Sequence, residues 1–273
     1  MEPMPTERLI ELGGRVYRVH ASEQTSAPAA GSPSHTFVLV HGIGISHRLF
    51  SRLHGLLSRR HTVYSLDLPG FGGLPKPVDS PDVFAMAADI GHVLELIGVR
   101  DVVAVGDSMG TQWVVELGVQ RPDLVSHVVA IGPVADERHR SALAQAVALG
   151  NDTLRETPSA NARVFVEYAR CGPRWYLRQL PHMLAYPIED RAAELRRPLM
   201  VLRGGRDPIA GPEWSRRLAA RAARSRMVEV PGHPHLVQHT APRAVASAIE
   251  WFVDEEFPGQ ALPVEALPVE AGS

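Results

Sequence analysis

Cysteine is almost missing from this chain. Cys171 stands alone among 273 residues, which excludes an internal disulfide framework and any cysteine-based zinc site, and accords with a reducing compartment. An excess of charge of one sign is also missing: 28 basic and 30 acidic residues are spread along the sequence for a net charge of −2, so there is no electrostatic footprint for nucleic acid or an anionic membrane. No apolar run reaches membrane-spanning length, and the opening MEPMPTERLIELGG has neither the basic start nor the apolar core of a secretion signal. These absences point to a soluble, cytoplasmic protein whose partner is a small molecule, with no nucleic-acid or membrane partner. What is present is a 45% hydrophobic composition, enough for a large core, and the length suits one α/β domain with an insertion.

RLIELGGRVYRVH, Arg8 to His20, sets Gly13 and Gly14 between two runs of branched and aromatic residues, the pattern of a β-hairpin. A Ser-, Pro- and Gly-rich loop follows from Ala21 to His35. TFVLV at Thr36 is then a nearly continuous apolar run, as expected of a strand buried on both faces. Similar runs begin at Thr62, Asp101, Leu124, Pro198 and Arg226. Between most of them lie segments of helical period, such as Asp82 to Ile97, with Val83, Met86, Ala87, Ile90, Val93, Leu94 and Ile97 on one stripe. Strand alternating with helix predicts a parallel sheet covered on both faces. The rhythm lapses from Val134 to Arg197, a helix-prone stretch broken by Pro158, Pro173, Pro181 and Pro187, which reads as an inserted cap. Residues 1–133 and 198–258 then form the core and 134–197 the cap. Residues 259–273, in which ALPVE occurs twice, form a tail too short to bury a core of its own and are expected to be disordered.

VVAVGDSMGTQWVVELG places Ser108 where an apolar strand meets a helical pattern, with Gly106 and Gly110 two residues away on either side. A sharp strand-to-helix turn needs neighbours without a Cβ. It lifts the hydroxyl above the sheet edge and leaves the first N–H groups of the helix free near an incipient anion. A serine hydroxyl is a weak nucleophile until a base takes its proton, so a histidine and an orienting acid are required.

Of thirteen histidines, His92 and His127 fall inside element patterns, and His47, His54, His61 and His139 lie on polar stretches expected at the surface. His233, His235 and His239 follow the last strand, where a loop can reach back over the sheet edge. His235, several residues beyond the strand end, is the preferred base and His233 its rival; a metal-binding histidine pair lacks a neighbouring carboxylate in the sequence. Asp207, after the strand at Pro198 and a glycine pair, is the preferred acid, with Asp136 in reserve. HGIG at His41 follows the first central strand. Its Ile43 N–H, with that of Met109, suits an oxyanion hole. DLPGFG at Asp67 is a glycine-rich loop near His41 with no assigned chemistry. In the cap, Arg170, Arg174 and Arg178 recur at four-residue spacing among Phe165, Tyr168, Trp175, Tyr176 and Met183. Such arginines either face the pocket, where one could pair with a substrate carboxylate, or form a solvated face.

With H-G-I-G, D-L-P-G-F-G, G-D-S-M-G, G-G-R-D-P and P-G-H-P-H in this order, the chain resembles the α/β-hydrolase superfamily from Leu9 to about Phe257, apart from the cap. The resemblance implies a mostly parallel eight-stranded sheet with helices on both faces and a helical cap between the sixth and seventh strands. It also implies a catalytic Ser108, Asp207 and His235, since the P-G-x-x-H pattern maps the base to His235. The implied activity is a serine hydrolase of small or medium carboxylic esters, lactones or thioesters, working through an acyl-enzyme without metal or organic cofactor. A serine at position 108 sets the chain apart from the aspartate-dependent haloalkane dehalogenases and epoxide hydrolases. The ring-cleavage C–C hydrolases usually carry a tryptophan soon after the histidine, where this chain has Leu236, Val237 and Gln238, and interfacial lipases usually expose a more apolar lid. Hydrolysis of a C–C bond in a diketone-like compound is the alternative chemistry, and a non-catalytic ligand sensor on the same scaffold the alternative class.

Overall fold

In the computed structural model, which describes residues 5–24, 33–140, 151–152 and 155–255, eight strands make one sheet. They are β1 (Thr6–Leu12), β2 (Arg15–Ser22), β3 (Thr36–Val40), β4 (Thr62–Asp67), β5 (Val102–Asp107), β6 (Val125–Ile131), β7 (Leu199–Gly204) and β8 (Ser225–Val230). The spatial order is β1-β2-β4-β3-β5-β6-β7-β8, parallel from β4 to β8 and antiparallel where β2 meets β1 and β4. The β1–β2 turn falls on Gly13 and Gly14, both at positive φ, 57° and 75°. These are the angles a two-residue hairpin needs and most side chains avoid.

The two-residue period of the strands sends alternate side chains to opposite faces. Val102 and Ala104 of β5 enter one apolar cluster and Val103 and Val105 the other. The first face is covered by α2 (Val83–Ile97), α3 (Gly110–Gln120) and α7 (Pro212–Arg221), the second by α1 (Ser51–Leu57), the single turn α8 (Val237–Thr240) and α9 (Pro242–Asp254). Helix α2 shows why its segment is helical. Asp82 caps it by accepting from Ala85 N–H at 2.8 Å, the predicted stripe is buried or half-buried, and Gly98 ends it at φ 75°. Strand order reverses between β3 and β5, so their carboxyl ends open a crevice at the switch point, the place where open α/β sheets bind ligands.

Between β6 and β7 lie α4 (Pro158–Cys171), α5 (Pro173–Ala185) and α6 (Ile188–Glu194). Pro158 and Pro173 open their helices, where a missing N–H costs nothing. Pro181 departs from expectation: it lies inside α5 rather than at a break. The carbonyl it frees belongs to Leu177, four residues back, a residue that is 62% exposed. The inserted helices are tied to the sheet through buried Glu116 of α3, which accepts from Tyr186 Oη at 2.8 Å and from Arg191 Nε at 2.7 Å and Nη2 at 2.9 Å. Gln112, also on α3, donates to Met183 O at 2.9 Å.

The expectation that His47, His54 and His61 lie at the surface is corrected. His54 is buried between Ser65 Oγ at 2.7 Å and Ser22 Oγ at 2.9 Å, His61 is buried beside Glu250, and half-buried His47 joins Asp67. Each has a polar partner distant in sequence, which local polarity does not reveal. Most of residues 141–154 and the tail at 259–273 lie outside the described residues. Among the described residues, no helix is long and apolar enough to cross a membrane.

Candidate active site

Ser108 follows the last residue of β5 at φ 55°, a left-handed conformation that costs a non-glycine residue about 1–3 kcal/mol. The glycines on either side are forced by close approach. A Cβ on Gly106 would lie 2.2 Å from Gly110 O, and one on Gly110 would lie 2.3 Å from Val40 O. The turn is pinned by Ser108 N–H donating to Ile131 O at 2.9 Å and by Thr111, whose N–H and Oγ1 donate to Ser108 O at 3.0 and 2.6 Å.

The loop after β3 packs directly on this turn, since a Cβ on Gly42 would fall 2.8 Å from that of Ser108. His41 is the brace: its Nδ1 donates to Gly42 O at 2.7 Å and its Nε2 accepts from Leu68 N–H at 3.1 Å, locking the loop to the DLPGFG segment. Burial holds His41 below the ordinary imidazole pKa, in the neutral form this double role requires. Ile43 and Met109 are both buried, and among the described residues neither backbone N–H has an acceptor. N–H groups without an acceptor are rare in buried residues, so these two next to Ser108 are the candidates to receive an anion.

Asp207 and His235 meet. His235 Nδ1 donates to Asp207 Oδ2 at 2.8 Å, while Asp207 Oδ1 accepts from Ile209 N–H at 2.7 Å and Ala210 N–H at 2.9 Å. The histidine loop lies against the end of β7, where a Cβ on Gly204 would sit 2.2 Å from both His233 O and Pro234 O. Buried Arg203 holds the acid's turn from below, donating to Asp207 O at 3.1 Å and Ala210 O at 2.5 Å. The imidazole reaches over Gly132, where a Cβ would come within 2.9 Å of His235 Cε1, next to the Ile131 carbonyl that holds Ser108. Ser108 and His235 line one cavity. His233 does not line it and bonds Thr240 Oγ1 at 3.0 Å, and Asp136 pairs with Arg217 at 2.6 Å.

Electrostatics follow from burial. Desolvation alone would raise Asp207, but the charge and hydrogen bond of His235 and the two backbone donors hold its carboxyl below the ordinary range. Desolvation would likewise lower His235, yet the charges of Asp207, Asp152 and Asp107 outweigh it and raise its pKa.

Several residues at the cavity carry no sequence signal for their place. Asp152 Oδ1 accepts from His235 N–H at 3.1 Å and Glu156 Oε1 from Leu236 N–H at 2.7 Å, so the inserted segment clasps the histidine loop with two acids. Asp107 lines the same cavity and is fully buried. Burial pushes Asp107 and Glu156 up to about 7 and raises Asp152. The lining also has an apolar part, Ile43, Ile45, Val164 and Met183, together with Tyr168 and Tyr176. Trp175 instead packs over Gly70 and Phe71, and Phe165 is exposed. Arg170, Arg174 and Arg178 are all exposed and none lines the cavity.

One set of possible metal ligands occurs among the described residues: His20, His47 and Asp67 present donor atoms within 4.8 Å of one another. Asp67 already accepts from His47 N–H at 2.8 Å and from Arg18 at 3.1 Å. The guanidinium on the carboxylate opposes a divalent ion, and the group reads as a brace between β2, β4 and the loop after β3.

The family model described as "Alpha/beta hydrolase family" matches residues 37–248. The (E)-2-((N-methylformamido)methylene)succinate hydrolase of Acinetobacter baylyi is 25% identical over 240 residues, covering 80% of this chain and 89% of that protein. The 2-(acetamidomethylene)succinate hydrolase of Mesorhizobium japonicum is 26% identical over 245 residues, covering 78% and 86%. Among solved structures, the enol-lactonase of Burkholderia xenovorans superposes with a TM-score of 0.76 at 18% identity, over 91% of this chain and all of that one. At that identity the likeness concerns the fold.

Proposed function

The chain belongs to the alpha/beta hydrolase family, and from that premise we propose that it is a serine hydrolase of small to medium carboxylic esters, lactones or thioesters. Ser108 Oγ attacks the substrate carbonyl. His235 takes the hydroxyl proton and returns it to the departing alcohol or thiol, leaving an acyl group on Ser108, and a water activated by the same imidazole then releases the acid. Asp207, bonded to Nδ1, keeps the Nε2 lone pair turned toward the serine and stabilises the imidazolium as it forms. The N–H groups of Ile43 and Met109 receive the negative charge of the tetrahedral intermediate, in a cavity lined in part by Val164 and Tyr168 of α4 and Tyr176 and Met183 of α5. The roles need no metal and no organic cofactor. Buried, free Cys171 accords with a reducing cytoplasm, where we place the enzyme.

The observation that carries this reading is the buried Asp207–His235 hydrogen bond, whose imidazole shares a cavity with a serine held at positive φ. A fluorophosphonate reporter followed by peptide mass mapping tests it: one adduct is expected on Ser108, lost in Ser108→Ala and in denatured protein. Turnover of a p-nitrophenyl acyl series against a vinylogous diketone separates ester from C–C hydrolysis. No adduct and no turnover would leave a binding protein on a hydrolase scaffold.

A further inference from the structure

The backbone that carries the base takes its acceptors from outside the sheet. His235 and Leu236 are 4% and 5% exposed, so their N–H groups need partners within the protein. Both partners come from between β6 and β7: His235 N–H donates to Asp152 Oδ1 at 3.1 Å and Leu236 N–H to Glu156 Oε1 at 2.7 Å. The two acids are buried and tied to each other, because Asp152 O accepts from Arg155 N–H at 2.8 Å and from Glu156 N–H at 2.9 Å. Arg155 adds a contact to the acid's loop, its Nη1 donating to Arg206 O at 3.3 Å, one residue before Asp207. Glu156 is followed directly by Thr157, whose Oγ1 accepts from Ala160 N–H at 3.3 Å and caps α4, the helix that brings Val164 and Tyr168 to the cavity. The base, the acid and part of the cavity lining are joined at Asp152, Arg155 and Glu156.

We infer that Asp152 and Glu156 are positioning residues for the hydrolysis: by holding two consecutive N–H groups they fix the backbone from which the His235 imidazole reaches Ser108. The inference rests on the serine-hydrolase reading for the reaction, though not for the positioning itself. The bond from Nδ1 to Asp207 fixes one edge of the ring. Where Nε2 points depends also on where the Cα stands, and a general base must come within about 2.6–3.2 Å of the hydroxyl it deprotonates. A misplacement of about 1 Å can cost about 10²-fold in rate. Ionised acceptors suit the task, since a carboxylate holds an N–H roughly twice as strongly as a neutral oxygen does. The cation that these acids face is His235 itself, in company with Asp207 and Asp107, so their charge bears on the imidazolium as well. Substitution separates the two effects. Asp152→Asn and Glu156→Gln keep an accepting oxygen and lose the charge, whereas Glu156→Asp keeps the charge and draws the oxygen back by one methylene.

The test is kinetics and proton NMR on the full chain. Values of kcat and KM for p-nitrophenyl butyrate are read on the pH plateau of each variant, which removes differences in the protonation of His235. Asp152→Ala and Glu156→Ala should lower kcat by about 10- to 100-fold with KM within about threefold, and Asp152→Asn and Glu156→Gln should recover it to within about fivefold of wild type. The far-downfield resonance of the Nδ1 proton shared with Asp207, identified by its loss in Asp207→Asn, should shift or weaken in the alanine variants and return in the amide ones. Alanine variants with wild-type kcat and an unmoved resonance, amide variants as impaired as the alanine ones, or a loss confined to KM would each overturn the inference. Where circular dichroism finds the alanine variants unfolded, Glu156→Gln against Glu156→Asp decides: Glu156→Gln the more active is expected, and any other order overturns the role. The hydrolase reading is judged apart, by the fluorophosphonate adduct on wild-type Ser108. An adduct with none of these effects removes the positioning role alone; no adduct removes the reaction, and the resonance still tests the positioning.

Discussion

Replacing Asp207 by asparagine removes one negative charge and little else, which makes its effect calculable. The amide oxygen that takes the place of Oδ1 still accepts from the Ile209 and Ala210 N–H groups, 2.7 and 2.9 Å from the present oxygen, so the turn after β7 keeps its anchors. At the other oxygen an amide N–H₂ now faces His235 Nδ1, where the structure has a carboxylate at 2.8 Å. Two losses follow. The imidazolium formed during attack loses a counter-charge about 4 Å away between charge centres, on the order of 4 kcal/mol at an effective dielectric of about 20. The amide also favours the tautomer with its proton on Nε2, pointing at Ser108 where a lone pair is needed. At about 1.4 kcal/mol per factor of ten, the charge alone accounts for roughly a 10³-fold loss in kcat, and the tautomer carries it toward the ~10⁴ seen when the same change is made in serine-protease triads. Asp207 does not line the cavity, so KM should move by less than about threefold. Steady-state hydrolysis of p-nitrophenyl butyrate at pH 8, with circular dichroism to confirm folding, measures both. Folded Asp207→Asn protein with kcat within about tenfold of wild type would refute the assignment. Asp136→Asn, a change at a half-buried residue outside the cavity lining and paired with Arg217, is the control and should stay within about twofold in kcat.

Acids around His235 raise its pKa, and the base must be neutral to accept a proton, so kcat/KM should climb with pH through a value above the ordinary 6.5 and level off beyond it. Asp152→Asn should move that limb to lower pH, and an unmoved limb in a pH–rate profile would remove Asp152 from the electrostatics of the site. The protonated His235–Asp207 pair stabilises the fold fully below pH 6.5 and loses its contribution as pH rises through the raised value. Asp107 has the opposite sign from a salt-bridged acid. Its folded pKa of about 7 exceeds the ordinary value of 3.8, so wild-type stability falls as pH rises between them, by about 4 kcal/mol across that interval. Asp107→Asn should therefore be the more stable protein at pH 8, by about 2 kcal/mol after roughly 2 kcal/mol for a buried unpaired amide, and should lose that advantage at pH 4. Urea midpoints at the two pH values read this directly. Glu116→Ala orphans Tyr186 and Arg191 and should cost about 3–5 kcal/mol in the same assay, whereas a loss below about 1 kcal/mol would show that the inserted helices are held elsewhere.

The sequence was most legible where structure is local. Gly13–Gly14, the apolar runs of β3 to β8 and the stripe of α2 each obey a rule acting within a few residues, and the structure has strands and a helix there. The glycines around Ser108 were readable for the same reason, because a backbone that turns within four residues admits no Cβ at 106 or 110. Pro181 and the buried histidines 54 and 61 were not, since their surroundings come from Leu177's exposure and from Ser22 and Glu250 far along the chain.

Chain order alone determined that a serine, an acid and a histidine each follow the end of a parallel strand, and that the strands themselves are buried on both faces. Only the tertiary structure decided that the histidine at 235 and not 233 meets the acid at 207 and not 136. It alone brought Asp152 and Glu156, from between β6 and β7, and Asp107 of the sheet around one imidazole, and left Arg170, Arg174 and Arg178 exposed. The reason is the range of the forces involved: dihedral sterics and hydrophobic period act between near neighbours, whereas burial and Coulomb interactions depend on which distant segments share a small, poorly hydrated volume.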